Sequence, residues 1–116
     1  MERLLNISIF LYVYMNKIYE LHAEMCKVFS NPTRLELLNL LRDKEMSVSE
    51  LIQKTRLSQV NVSQHLAIMK HKGMVIARRD GKNIYYKVAY PKIVKAFDII
   101  REVLTKKLKT NENIVE

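Results

Sequence analysis

The stretch that decides the fold runs from Leu57 to Val88 and reads LSQVNVSQHLAIMKHKG followed by MVIARRDGKNIYYKV. The first part opens on Ser58, a favourable helix N-cap, and ends on Gly73, which readily takes the left-handed conformation that stops a helix. The second part is predicted to fold back at Asp80-Gly81, a dipeptide preferred in two-residue hairpin turns because both positions favour positive φ. The sequence therefore predicts a helix followed at once by a β-hairpin.

The predicted helix has one apolar face and one polar face. At 100° per residue, Val62, Leu66 and Met69 share the face that would pack on the domain. Gln and Asn make paired hydrogen bonds to adenine edges, and Ser donates to or accepts from several bases. His65 lies beside the packed face, so a half-buried structural role is favoured for it over a base contact. The candidate DNA-reading residues on this helix are Gln59, Asn61, Ser63, Gln64, His65 and Lys70.

The tip of the hairpin is cationic. Arg78, Arg79, Lys82 and Asn83 cluster there, where a wing reaches phosphates or a neighbouring minor groove. The sequence has no acidic residue over positions 58–79, so nothing in this segment would repel a phosphate backbone. A charged hairpin tip that only aids solubility is the alternative. A solvated face without function is the alternative for the polar helix, and it is less favoured because a short capped helix precedes that helix and this cationic hairpin follows it.

Composition supports a polyanionic partner. The chain has 116 residues, 48% of them hydrophobic, which suits one domain with one modest core. Its formal net charge is +8, and residues 70–109 carry 12 basic and 3 acidic side chains against 8 and 7 in residues 1–69. The excess therefore lies in the hairpin and the last helix, which favours nucleic acid or an anionic membrane surface. An enzyme is not predicted, because no acid, base and nucleophile set is present and neither glycine lies in a phosphate-cradling loop.

The N-terminal region is predicted to be one long helix over about residues 3–29. Its apolar residues alternate steps of three and four, the spacing of a helix that pairs with another helix. A strand built on positions spaced by two from Leu5 to Val13 is the alternative, and Met15 offers a second start position for the chain. The run from Leu4 to Met15 is too short to span a bilayer, which takes roughly 20 residues. It also lacks the small-residue cleavage site of a signal peptide, so a signal peptide is not favoured. The apolar stripe comprises Leu4, Ile7, Leu11, Tyr14, Ile18, Leu21, Met25 and Val28.

The remaining helices have clear start signals. Asn31-Pro32 is a cap followed by a first-turn proline and opens a helix reaching about Arg42. The run Ser47-Val-Ser-Glu50 has capping-box spacing and starts a short helix ending near Thr55, after which Leu57 would fill the core. Pro91 opens a last helix that fades near Lys109.

The predicted fold class is mainly α with a β-hairpin wing, a winged helix-turn-helix in the order helix, helix, helix, helix, hairpin, helix. Its segments are a long N-terminal helix (1–30), a DNA-binding core (31–90), a C-terminal helix (91–109) and a polar tail (110–116), all within one domain.

Several of these segments resemble the ArsR/SmtB family of winged-helix repressors. The resemblance rests on residues 57–66, Gly73-Met-Val, the 78–86 hairpin, and residues 29–38, which resemble that family's second-helix signature. The resemblance covers about residues 20–105. It implies a homodimer, paired through its first and last helices, that binds a near-palindromic operator in double-stranded DNA and represses transcription. It places recognition on Gln59, Asn61, Ser63 and Gln64. The implied dimer interface comprises Leu11, Ile18, Leu21, Met25, Phe97, Ile100 and Leu104, although such apolar faces can equally be intrachain core.

The chain departs from the family where the family binds metal. Ser47 and Ser49 stand where arsenic- and cadmium-type members place cysteines, and serine hydroxyls are poor ligands for soft metals. The positions aligned with the zinc-type site are Tyr90, Lys92, Val103 and Lys106. We therefore predict neither family metal site and no cofactor.

The single cysteine leaves few other ways to bind a metal ion or to form a disulfide. His22 and Cys26 stand four apart, a spacing at which two side chains can hold one ion, but a structural histidine and a buried thiol are favoured. One cysteine excludes an intrachain disulfide and is typical of a reducing cytoplasm, and an interchain disulfide through Cys26 is a weak alternative.

For the whole chain, the alternative function is a winged-helix interaction module of a larger transcription or membrane-associated assembly. The effector is not indicated by the sequence.

Overall fold

The computed structural model describes the backbone of residues 2–115 and the side chains of residues 3–111. The predicted fold class is confirmed, since four helices precede a hairpin and a fifth follows it. The elements are α1 (Glu2–Val28), α2 (Pro32–Leu40), β1 (Met46–Ser47), α3 (Val48–Thr55), α4 (Gln59–His71), β2 (Val75–Asp80), β3 (Asn83–Val88) and α5 (Pro91–Val115).

The predicted caps start the short helices. The Asn31 side-chain oxygen accepts a hydrogen bond from the backbone N–H of Arg34 at 3.1 Å. The Ser47 hydroxyl accepts from the backbone N–H of Glu50 at 3.2 Å, while the Glu50 carboxylate accepts from the backbone N–H of Ser47 at 3.2 Å. These bonds satisfy amide groups that the first turn of a helix leaves without partners, so each helix begins where its cap stands.

The hairpin turns one residue later than predicted. Asp80 pairs with Asn83, so the two-residue loop is Gly81-Lys82 rather than Asp80-Gly81. Gly81 has φ +61°, and Arg56 is the one non-glycine residue in the described backbone with positive φ. A positive φ at the first central position alone is the pattern of a type II′ turn. The expectation that Asp80 and Gly81 both take positive φ was therefore wrong.

A third strand was not predicted. The sheet order is β1-β3-β2, with Met46 opposite Tyr86 and Ser47 opposite Tyr85 in antiparallel register. A two-residue strand carries no readable alternation, and it forms because the outer edge of β3 is available for pairing. This strand joins the hairpin directly to the start of α3.

The core lies where α2, α3, α4 and the hairpin meet. Leu57 is half-buried against it, as predicted. The end of α1 joins α5 through an edge-to-face contact between Phe29 and Phe97, whose ring centroids are 5.1 Å apart. The buried apolar residues are Val28, Phe29, Leu37, Leu38, Leu41, Met46, Leu51, Val62, Leu66, Met69, Val75, Val88 and Val94.

The two long helices extend beyond this core. Helix α1 excludes the strand alternative for its first half. The backbone of α5 continues to Val115 and so does not end near Lys109, and residue 116 of the predicted tail lies outside the described residues. Arg42 of the α2–β1 connection ties α5 to the core through paired hydrogen bonds to Asp98. Within the described residues, neither long helix combines the length and hydrophobicity needed to cross a bilayer.

Candidate nucleic-acid interface

Helix α4 presents the polar face that its sequence predicts. The Ser58 hydroxyl accepts a hydrogen bond from the backbone N–H of Asn61 at 3.2 Å and so fixes the start of the helix. Val62, Leu66 and Met69 are completely buried, which holds the helix by its inner face. The exposed residues of α4 are Gln59, Val60, Asn61, Ser63, Gln64, Ala67, Ile68, Lys70 and His71.

His65 differs from the other candidate residues on α4. It is half-buried, and its Nδ1 is enclosed without a hydrogen-bond partner among the described residues. The ring therefore faces partly into the domain, which matches the half-burial predicted from the sequence.

The hairpin closes a cleft beside α4. Lys82 and Asn83 at the hairpin tip line this cleft together with Gln59 and Ser63 of α4. The start of α3 forms the third wall, which includes Ser49. The structure thus brings the first two turns of α4 and the tip of the wing, defined as β2 and β3, to one concave surface. No local sequence signal indicates that the start of α3 belongs to the site, although its capping box marks where that helix begins.

The two arginines of the wing lie on opposite faces of the hairpin. Residues paired across antiparallel strands share a face, and Arg79 pairs with Ile84, which lines the cleft. Arg78 pairs with Tyr85 and so lies on the other face. Arg79 makes no salt bridge within the described part of the chain, whereas Arg78 is paired with the Glu45 carboxylate. The sequence cluster at the tip is therefore divided into two environments.

The side chains considered as metal ligands include a serine engaged in a helix cap and two residues exposed on α1. The Ser47 hydroxyl is buried and committed to the cap of α3, since it also donates to the Glu50 carboxylate at 3.1 Å. His22 and Cys26 are exposed on successive turns of α1 and line the same shallow depression. The expected burial of the Cys26 thiol was wrong, because the thiol is exposed. No three His, Cys, Asp or Glu side chains converge within the described residues.

The predicted dimer residues lie along the two long helices. Met25 and Phe97 are half-buried against the core. The residues further out on each helix, Leu11, Ile18, Leu21, Ile100 and Leu104, are between 39% and 54% exposed. The apolar stripe of α1 is therefore core at its C-terminal end and free surface beyond it.

Comparison with known proteins gives a consistent family. The model described as "Bacterial regulatory protein, arsR family" matches residues 31–77, from the cap of α2 into β2. Uncharacterized HTH-type transcriptional regulator Rv0081 of Mycobacterium tuberculosis is 35% identical over 100 residues, which cover 85% of this chain and 88% of that protein. Transcriptional activator HlyU of Vibrio cholerae is 30% identical over 68% of this chain and 73% of its own length. Transcriptional repressor PagR of Bacillus anthracis is 41% identical over 61% and 72%.

Solved structures show the same architecture. The crystal structure of Rv0081 superposes with a TM-score of 0.70 at 36% identity, covering 81% of this chain and 95% of that one. The solution structure of the homodimeric winged helix-turn-helix DNA-binding domain of Mb0332 from Mycobacterium bovis gives a TM-score of 0.72 at 27% identity, covering 83% and 89%. The family and these relatives are transcriptional regulators rather than enzymes, which confirms the exclusion of catalysis. The chain belongs to the ArsR family and is a transcriptional regulator with a winged helix-turn-helix DNA-binding domain.

Proposed function

We propose that the chain is a homodimer that represses transcription by binding a near-palindromic operator in double-stranded DNA. The observation that carries this proposal is the cleft in which Gln59 and Ser63 of α4 face Lys82 and Asn83 of the wing. An exposed polar helix beside a cationic hairpin matches the major groove on one side and the phosphate backbone on the other.

Within the interface, the residues divide by chemistry. Gln59, Asn61, Ser63 and Gln64 read base edges, because amide and hydroxyl groups form the hydrogen bonds that distinguish bases in the major groove. Three cations, Lys70 on α4 together with Arg79 and Lys82 on the wing, contact phosphates, and they make no salt bridge within the described residues that would compete for them. Asn83 adds a hydrogen bond near the wing tip. His65, with its enclosed Nδ1, supports the position of α4.

The homodimer is supported by the apolar surface of α1 and α5. Leu11, Ile18 and Leu21 on α1 and Ile100 and Leu104 on α5 are exposed along two helices that extend from one core. An exposed apolar stripe along a helix is typical of a protein interface. A two-fold dimer also explains the use of a palindromic site, since two α4 helices would enter successive major grooves on one side of the duplex.

Repression is the simpler sign of regulation for such a dimer. Occupying a promoter excludes polymerase without any further contact, and the relative PagR is named a repressor. The relative HlyU is named an activator, so transcription in vitro from the selected operator must decide the sign. Reduced transcript on adding the protein is expected, and increased transcript would reverse the assignment.

Selection of bound genomic fragments, followed by titration of the best fragment, tests DNA reading. The triple variant Gln59→Ala, Ser63→Ala and Gln64→Ala should bind the selected operator and random DNA about equally while remaining folded and dimeric. A matched variant with Asn16→Ala and Glu36→Ala, exposed polar positions on other helices, should bind as the wild type does. Retained selectivity in the triple variant would refute the assignment and favour an interaction module.

Sedimentation tests the dimer separately. Leu104→Glu places a charge on the exposed apolar surface of α5 and should give a folded monomer with much weaker operator binding. An unchanged dimer in this variant would show that the interface lies elsewhere.

A further inference from the structure

We propose that Arg78 is a positioning residue that holds the wing against the helix-turn-helix, and that Arg79 is the wing arginine that contacts the DNA backbone. This inference rests on the proposed DNA binding, because it divides roles within that interface. It separates two adjacent residues of the same type that differ by only one position in their distance from the hairpin turn.

All three guanidinium nitrogens of Arg78 are already engaged. Nε donates to Oε2 of Glu45 at 3.2 Å, and Nη2 donates to Oε1 of the same carboxylate. Nη1 lies 3.8 Å from Oδ2 of Asp80. The guanidinium carbon also lies 4.9 Å from the centroid of the Tyr85 ring, within the range of a cation–π contact. Two carboxylates face one cation, so Arg78 offers little positive charge to a phosphate.

These contacts cross the whole sheet. Glu45 immediately precedes β1, Arg78 lies in β2, and β3 runs between those strands. Tyr85 of β3 is the cross-strand partner of Arg78 and lies beneath its guanidinium group. The pair therefore fastens the outer strand of the wing to the residue that leads, through β1, into α3.

The ionisation state of the pair agrees with this role. Arg78 lowers the pKa of the Glu45 carboxyl, mainly through hydrogen bonding, so the carboxylate is charged at neutral pH. A bidentate arginine–carboxylate pair constrains direction as well as distance, and lysine cannot reproduce it. The angle of the wing thus depends on the fork of the guanidinium group and not only on its charge.

Arg79 has the opposite surroundings. It shares its face of the hairpin with Ile84, which lines the cleft next to α4. It makes no salt bridge within the described residues, so its charge is available to the duplex.

Operator binding measured by fluorescence anisotropy across a salt series separates the two roles. Arg79→Gln should reduce the slope of log K against log salt by about 1.8 for a dimer, since one phosphate contact is lost in each protomer. Arg78→Gln should leave the slope unchanged and raise Kd roughly two- to fivefold, the range expected when an exposed ion pair is lost. Arg78→Lys should resemble Arg78→Gln, because the fork is lost although the charge remains.

The direction in which Glu45→Gln changes Kd decides between two roles for this carboxylate. If Glu45 and Arg78 hold the wing together, Glu45→Gln raises Kd as Arg78→Gln does. If Glu45 only masks a phosphate-binding arginine, Glu45→Gln lowers Kd and steepens the slope, which would overturn the proposal. Asp43→Asn removes a nearby negative charge outside the pair and controls for long-range electrostatics.

A DNA-free measurement keeps this inference distinguishable from the proposed function. Hydrogen–deuterium exchange at the β2 and β3 amides should accelerate about two- to fivefold in Glu45→Gln, in Arg78→Gln and in the double variant alike, because each breaks the same pair. Arg79→Gln should leave this exchange unchanged. Exchange that is unaffected by Glu45→Gln would refute the positioning role. Absence of any specific operator for the wild type would refute the proposed function instead.

Discussion

The salt dependence of operator binding is the sharpest prediction from the interface. The chain presents three cations there, namely Lys70, Arg79 and Lys82, and none of them forms a salt bridge within the described residues. A dimer would neutralise about six phosphates with these side chains, which corresponds to a slope of log K against log salt near −5.4. Between 50 and 200 mM monovalent salt, Kd should then rise roughly 10³-fold.

Lys82→Gln provides the perturbation. Lys82 lies in the two-residue loop of the wing, so the substitution would remove one phosphate contact from each protomer of the proposed dimer without touching the core. The slope should become less steep, at about −3.6, and the same salt change should raise Kd only roughly 150-fold. Anisotropy titrations at four or five salt concentrations would measure both slopes, with the Asn16→Ala and Glu36→Ala variant as a control. A Lys82→Gln slope equal to that of the wild type would refute the placement of the wing tip on the phosphate backbone.

Three further predictions concern stability. Leu66→Ala removes a completely buried side chain from α4 and should lower the free energy of unfolding by about 2–5 kcal/mol in urea titrations; an effect below that range would mean that α4 is not held by its inner face. Ser58→Ala removes the hydrogen bond to the Asn61 amide and should cost about 1 kcal/mol, while Ser58→Asp should retain most of the stability, since aspartate is also a good N-cap. Arg42 lowers the pKa of Asp98, mainly through side-chain hydrogen bonding, so the stabilisation from this pair is present at neutral pH and is lost as pH falls below the ordinary aspartate value through the lowered one. Asp98→Asn should therefore show a shallower loss of melting temperature between pH 5 and pH 3 than the wild type, and parallel curves would contradict the pair's contribution.

Local signals predicted most of the secondary structure. Asn31, Ser47 and Ser58 each mark a helix start, because a capping side chain bonds an amide only three residues away. The inner face of α4 was predicted from the spacing of Val62 and Leu66, since the period of a helix is the same wherever it lies in the chain. Such features depend on a few neighbouring residues.

Features that join distant segments were not predicted. The two-residue strand β1 exists through its pairing with β3, and no pattern within Met46 and Ser47 indicates it. The turn was misplaced by one residue because strand register depends on how the whole hairpin packs.

By itself, the sequence determined the set of helices, the hairpin and the polar outer face of α4, since capping and helical periodicity act over one or two turns. Only the tertiary structure decided which side of the hairpin each arginine occupies, and it brought the start of α3 into the cleft. Glu45 pairs with Arg78 rather than Arg79 because the cross-strand register places Arg79 on the opposite face of the hairpin, which it shares with the cleft residue Ile84. A local pattern cannot make that choice, because both arginines belong to the same short run of charge.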